Sequence, residues 1–330
     1  MINELKEVFE FATSTTIFIN EILKLKASNK NSDKNELVLS NKNNSAQIGS
    51  SGDYAQIGSS GDYAQIGSSG NSAQIGSSGN YAQIGSSGYY AQIGSSGDSA
   101  QIGSSGDSAK IGSSGDSAKI GSSGDSAQID STGNSSVIAS IGIRNVVKAK
   151  KGSWITLAEY KQNDNSWVVD FVKTEQVDGK IIKENTYYTL YNHQFVEVEI
   201  IDNIKTIILQ RKKNVIKGLF LYNLQPCYVV EKDGVYAHGE TLKEAKESLI
   251  YKIADRDKSD YENYTLDTEV THEEAIKMYR VITGACEIGT RNFVENVLVK
   301  KKEKYTVKEI IKLTKGQYGN ETLKEFMKNK

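Results

Sequence analysis

Proline occurs once in the 330 residues, at Pro226, while cysteine occurs twice and histidine three times. A single proline leaves no Pro-rich linker or polyproline segment. Cys227 and Cys286 make no disulfide framework and no metal-ligand spacing, which fits a reducing compartment and no bound metal. His193, His238 and His272 sit in unrelated contexts, none within a triad or metal signature, so no catalytic residue and no cofactor is expected. Of these, His238, in the turn His238-Gly-Glu-Thr241, is the most suggestive, and Cys286 with His272 is the one nucleophile pair to weigh. No apolar run approaches a membrane span, and Glu4, Lys6, Glu7 and Glu10 interrupt any leader-like segment, so a cytosolic protein is expected. Charge of one sign is also missing overall, with a formal net of −1. That balance hides a gradient: residues 45–135 hold seven Asp against Lys110 and Lys119, whereas residues 277–330 hold thirteen Lys/Arg against six Glu.

What is abundant is one nine-residue phrase, A-Q/K-I-G-S-S-G-D/N-S/Y, repeated from Ser45 to about Asn134. Ala recurs every nine residues from Ala46 to Ala127, and Ile follows two residues behind, from Ile48 to Ile129. A fixed short period marks a stacked fold, and nine residues are too few for a helical repeat. Side chains alternate along a strand, so Ala and Ile of A-x-I share one face, expected to point inward. G-S-S-G then reads as a corner, with two glycines free to take positive φ. Two units close an eighteen-residue coil, and the ten units would stack to roughly 24 Å at the interstrand spacing. The expectation is a mainly β protein with some α: a β-solenoid with two repeats per coil. Isoleucine burial alone is too little to order so much backbone, so continuous ladders and end caps are expected.

The acidic or amide residue after each second glycine forms rows: Asp53, Asp62, Asn71, Asn80, Asp98, Asp107, Asp116 and Asp125, with Tyr89 interrupting. Calcium-binding nonapeptide solenoids use a different double-Gly and Asp spacing, which argues against calcium. Mimicry of DNA is a second idea, but the repeat region's net of about five negative charges falls well short of the roughly fourteen on a duplex of that length. A third, ice binding, lacks the regular threonine rows. Tyr54, Tyr63, Tyr81 and Tyr90 are candidate binding anchors on the same surface as Asp53, Asp62, Asp98, Asp107, Asp116 and Asp125.

The flanks divide the chain further. Residues 1–28 read as an N-terminal helical segment, for capping or oligomerisation, and 29–44 as a linker that holds a first irregular strand near Glu36–Ser40. The solenoid takes 45–150, with Trp154 expected to close its end, and a β-meander cap takes 151–222. An α+β, largely helical module fills 223–330, its helices opened by Thr241-Leu-Lys-Glu244 and Thr271-His-Glu-Glu274 capping boxes and broken at Gly316 and Gly319. Its basic residues Lys300, Lys301, Lys302, Lys304, Lys308, Lys312 and Lys315 resemble a helix-turn-helix surface, the alternative site, for nucleic acid.

The array together with Lys151-Gly-Ser-Trp-Ile-Thr-Leu-Ala-Glu-Tyr160, Ala237-His-Gly-Glu-Thr-Leu-Lys-Glu-Ala245, Tyr279-Arg-Val-Ile-Thr-Gly-Ala-Cys286, Gly289-Thr-Arg-Asn-Phe-Val294 and Thr314-Lys-Gly-Gln-Tyr-Gly-Asn-Glu321 resembles uncharacterised phage and prophage proteins of low-GC Gram-positive bacteria. The strand-turn-helix from Val235 to Ala245 also resembles part of the RNase-H-like fold of HicB-type antitoxins. The first resemblance implies a genomic setting, in the cytoplasm of a bacterial host, rather than a reaction. The expected function is non-enzymatic binding of a host protein, such as a defence protein or nuclease, through the solenoid surface. A nucleic-acid-binding regulator and a virion fibre component are the alternatives.

Overall fold

The computed structural model describes residues 38–254, 256–298 and 301–328. The expected N-terminal helical segment, with its capping or oligomerising role, and Lys300 lie outside the described residues. Two compact units divide between Val198 and Glu199.

The first unit is the β-solenoid. Each repeat contributes one four-residue strand, and successive strands alternate between two parallel sheets. Sheet I takes Gln56–Ser59, Gln74–Ser77, Gln92–Ser95, Lys110–Ser113 and Gln128–Ser131; sheet II takes Gln47–Ser50, Gln65–Ser68, Gln83–Ser86, Gln101–Ser104 and Lys119–Ser122. Partners are eighteen residues apart, as in Ile57↔Ile75 and Ile84↔Ile102, so two repeats make a coil. The stack outruns the perfect repeats. Val38–Asn41 pairs with Gln56–Ser59 within the expected linker, and the decayed units Val137–Ser140 and Val146–Ala149 keep the register. With Trp154–Asn163 joining sheet II in parallel, each sheet has seven parallel strands, a height of about 29 Å at the usual spacing.

Ala and Ile point inward as their alternation requires, Ala64, Ile66, Ala100 and Ile102 being fully buried. The alternation continues one step further than the apolar pattern shows. Ser68, Ser86 and Ser104 also face the interior, so a hydroxyl row runs beside the Ala and Ile rows.

The corners differ from the expected glycine turns. The residue with positive φ is the Ser or Tyr that ends each repeat, from Ser45 through Tyr54, Tyr63 and Tyr81 to Ser135, and Arg144 in the decayed unit that follows, at 54–60°. The second glycine is needed for a different reason. A Cβ on Gly97 would sit 2.0 Å from the carbonyl oxygen of Gly79 in the preceding coil, and the same holds from Gly61 to Gly142. The first glycine, at Gly58, Gly76 and Gly94, faces open space.

Trp154 does not close the end. It occupies the outward position opposite Val137 and is 44% exposed. Its neighbours Ile155 and Leu157 turn inward instead, and Val177, Ile182, Tyr188 and Leu190 complete the core beneath them. Antiparallel strands follow the parallel stack: Ser166–Gln176 on sheet II, and Tyr187–Tyr191 then Gln194–Ile201 on sheet I.

The second unit begins earlier than residue 223. Ile204–Lys212 and Val215–Phe220 form a hairpin that continues into Pro226–Lys232 and Val235–Gly239, and this pairing draws them away from the expected 151–222 cap. The lone proline opens a strand, where its missing N–H costs least. Helix α1 (Leu242–Ile253) packs Ala245 and Leu249 on Val230 and Ala237. Four helices follow: α2 (His272–Thr283), α3 (Glu287–Asn292), α4 (Val307–Leu313) and α5 (Asn320–Lys328). Thr241 and Thr271 cap α1 and α2 as expected, each accepting from the N–H of the Glu three residues on. The Glu274 carboxylate takes the Tyr264 hydroxyl at 2.7 Å, and the complete reciprocal box is at Thr306 and Glu309. Gly316 and Gly319 both adopt positive φ and set the turn into α5.

Candidate functional site

The acidic rows are built into the corner backbone. Asp53 Oδ1 accepts the N–H of Asn71 at 2.8 Å, Asp62 that of Asn80, Asp98 that of Asp116, Asp107 that of Asp125, Asp116 that of Asn134, and Asp125 that of Ile143. Each side chain thereby reaches the same position one coil later. Asn serves equally, as Asn80 does for Asp98, because only an oxygen at that place is needed. Hydrogen bonds from the Asn134 backbone and then its side chain hold the Asp116 carboxyl below its ordinary range. The D/N preference therefore has a structural cause.

The ten candidate surface residues fall on two edges of the coil rather than on one patch. One edge, leading into sheet I, carries Asp53, Asp107 and Asp125 with Tyr54 and Tyr90; the other, leading into sheet II, carries Asp62, Asp98 and Asp116 with Tyr63 and Tyr81. Tyr54, Tyr63 and Tyr81 are 50–59% exposed, and Tyr63 stacks on Tyr81 with ring centroids 5.0 Å apart. Tyr90 is half-buried, and the neighbouring Tyr89 takes the exposed role at 54%. Between the edges, sheet I presents a shallow trough whose floor is Gly58, Gly76, Gly94 and Gly112, with Gln56, Gln74 and Gln92 alongside.

Lys301, Lys304, Lys308, Lys312 and Lys315 are exposed, while Lys302 is paired with Glu309 at 2.7 Å, which raises the lysine's pKa and lowers the glutamate's. Lys308 and Lys312 lie one turn apart on the seven-residue α4, and Lys315 follows it.

His238 is fully buried. Its Nε2 lies 3.1 Å from Thr206 Oγ1, and burial, reinforced by Lys252, pushes its pKa down to about 3. The unfolded chain then takes up a proton below about 6.5 while the folded chain does not. Stability is present above that value and is lost as pH falls toward 3, on the order of 4 kcal/mol in all. Urea titration of wild type and His238→Gln between pH 7 and 4 should show a steeper decline in wild type; parallel curves would remove His238 as the cause. Cys286 is buried, caps α3 by accepting the Gly289 N–H at 3.3 Å, and borders the same cavity as His272. The His272 ring is instead 5.9 Å from that of Tyr305, and no hydrogen bond joins it to Cys286 among the described residues. Nor does any group of three His, Cys, Asp or Glu among them suit a metal, and no described helix is long and apolar enough to cross a membrane.

Compared with protein-family models, with curated proteins and with solved structures, the chain finds no match. Its functional reading therefore rests on its own residues.

Proposed function

We propose that this is a non-enzymatic binding protein that offers the solenoid surface to a protein partner, and that in the phage setting implied by its motifs the partner is a host defence protein or nuclease. The observation that carries this reading is the set of tyrosines, Tyr54, Tyr63, Tyr81 and Tyr89, all at least half exposed on corners whose backbone is bonded coil to coil. A tyrosine on a rigid support brings large contact area at little entropic cost, which is the profile of an interface anchor. The exposed carboxylates Asp53, Asp98 and Asp116 add a polar rim.

The repeat supplies its own controls. Ser occupies the tyrosine position in most other units, so Tyr54→Ser, Tyr63→Ser and Tyr81→Ser together should leave the thermal transition nearly unchanged. The same triple change should weaken partner capture from host lysate by about thirtyfold or more, since even one anchor of this kind contributes at least about 2 kcal/mol. Undiminished capture would rule the tyrosines out.

Asp98→Asn, Asp107→Asn and Asp116→Asn keep an oxygen for each ladder bond and remove only charge. Their effect on capture should be smaller, about tenfold, and mainly on the association rate. An unchanged association rate would remove the charges from the mechanism. Nucleic acid recovered in place of a protein, and lost on Lys301→Ala with Lys302→Ala, would move the function to the basic segment.

A further inference from the structure

We propose that the second unit holds a site for a small aromatic molecule bearing one neutral hydrogen-bond donor, in a half-open pocket bordered by α2, α3 and α4. This site is independent of the solenoid surface, since all its residues lie beyond Glu199.

The cavity has a volume of about 80 Å³, with Tyr279, Tyr305, Tyr318, Phe293 and Ile276 among its walls. Close packing normally fills such hollows, so what keeps this one open matters. Here the cause is local. Helix α3 ends after six residues in a π-helical turn, Phe293–Val297, closed by the Leu298 N–H donating to the Phe293 carbonyl at 2.8 Å. Such turns widen a helix and recur at ligand sites. Phe293, Val294 and Leu298 stay half-buried around the opening rather than filling the space, and the facing positions Ala275 and Ala285 are small.

Size and polarity define the occupant. The enclosed volume is roughly half that of an apolar cavity known to accept benzene, so it takes only the edge of one ring and the rest of the molecule projects through the mouth. Polar walls come from His272, Thr290, Thr314, Gln317 and Asp202, whose carboxylate is bonded to the Lys252 ammonium, itself 3.6 Å from the Tyr318 ring centroid. A cationic ligand would meet that ammonium. A neutral N–H or O–H, as on an indole or a phenol, can donate to the carboxylate without opposing it.

Cys286 in the cavity wall provides the readout. Cys227 is wholly buried, and burial pushes its thiol up to about 12, so it competes little for a thiol reagent. With full-length protein and indole as the probe, modification of Cys286 by methyl methanethiosulfonate should slow about tenfold at ten times the dissociation constant, because only empty sites react, and the unfolding temperature should rise. Toluene, which lacks the donor, should protect more weakly. Ile276→Trp and Leu313→Trp fill the cavity from two sides, so whichever folds with wild-type circular dichroism should lose both effects. Indole leaving the Cys286 rate and the unfolding temperature unchanged in wild type, or shifting them equally in the filled variants, would overturn the site.

Discussion

Gly97→Ala is expected to lower the solenoid's stability by about 3 kcal/mol or more, whereas Gly94→Ala, three residues away, should be neutral or stabilising by about 0.5 kcal/mol. The added carbon is the same, but its surroundings are opposite. At Gly97 it would lie 2.0 Å from the Gly79 oxygen and 2.4 Å from the carbonyl carbon, both backbone atoms held by the coil-to-coil ladder. Relief requires separating two coils, which stretches flanking bonds such as Tyr81 N–H to the Asp98 carbonyl at 2.8 Å. At Gly94 nothing lies within 4 Å, and alanine gains from a smaller loss of backbone entropy on folding. Thermal unfolding of the two variants, followed by far-ultraviolet circular dichroism, distinguishes them directly. Equal losses would mean that glycine acts through chain flexibility at both positions and not through coil contact.

Lys252→Met should cost the second unit about 3–5 kcal/mol, the usual penalty for breaking a buried ion pair from one side. The Lys252 side chain is 1% exposed, and its ammonium satisfies the Asp202 carboxylate, the Tyr236 carbonyl at 2.7 Å and the Tyr318 ring together. Removing it strands a carboxylate that is only 15% exposed. Adding Asp202→Asn should recover part of the loss, because the stranded charge disappears while the carbonyl remains unpaired. Urea unfolding of the two single variants and the double variant measures that coupling, and strictly additive losses would show that the two residues act separately.

Legibility in the sequence followed the range of the interactions. The nine-residue period implied strand, corner and two repeats per coil because each rung sees only its neighbours, so local pattern and tertiary contact coincide. The five C-terminal helices were legible for a related reason: Thr–Glu boxes and left-handed glycines act within one turn of chain. Less visible was the division of labour between the two glycines. A repeated glycine looks alike whether it serves a turn or a close approach, and the carbonyl that excludes a side chain at Gly97 is eighteen residues away.

The candidate surface was half legible. Aspartate and tyrosine were recognisable as a repeated surface, but their bonding to the next coil and their separation onto two edges depend on how corners stack. Trp154 turned outward because its register with Val137 decided its direction, against the expectation from its size. The cavity beside Cys286 was not legible at all, since Asp202, Tyr279, Phe293 and Tyr318 are brought together only by helix packing. The sequence by itself determined a β-solenoid, its inward Ala and Ile rows and the helices that follow, all through contacts of fixed, short period. Only the tertiary structure decided which glycines are sterically required, where the compact units divide and what lines the second unit's cavity, because those depend on atoms the chain brings together from afar.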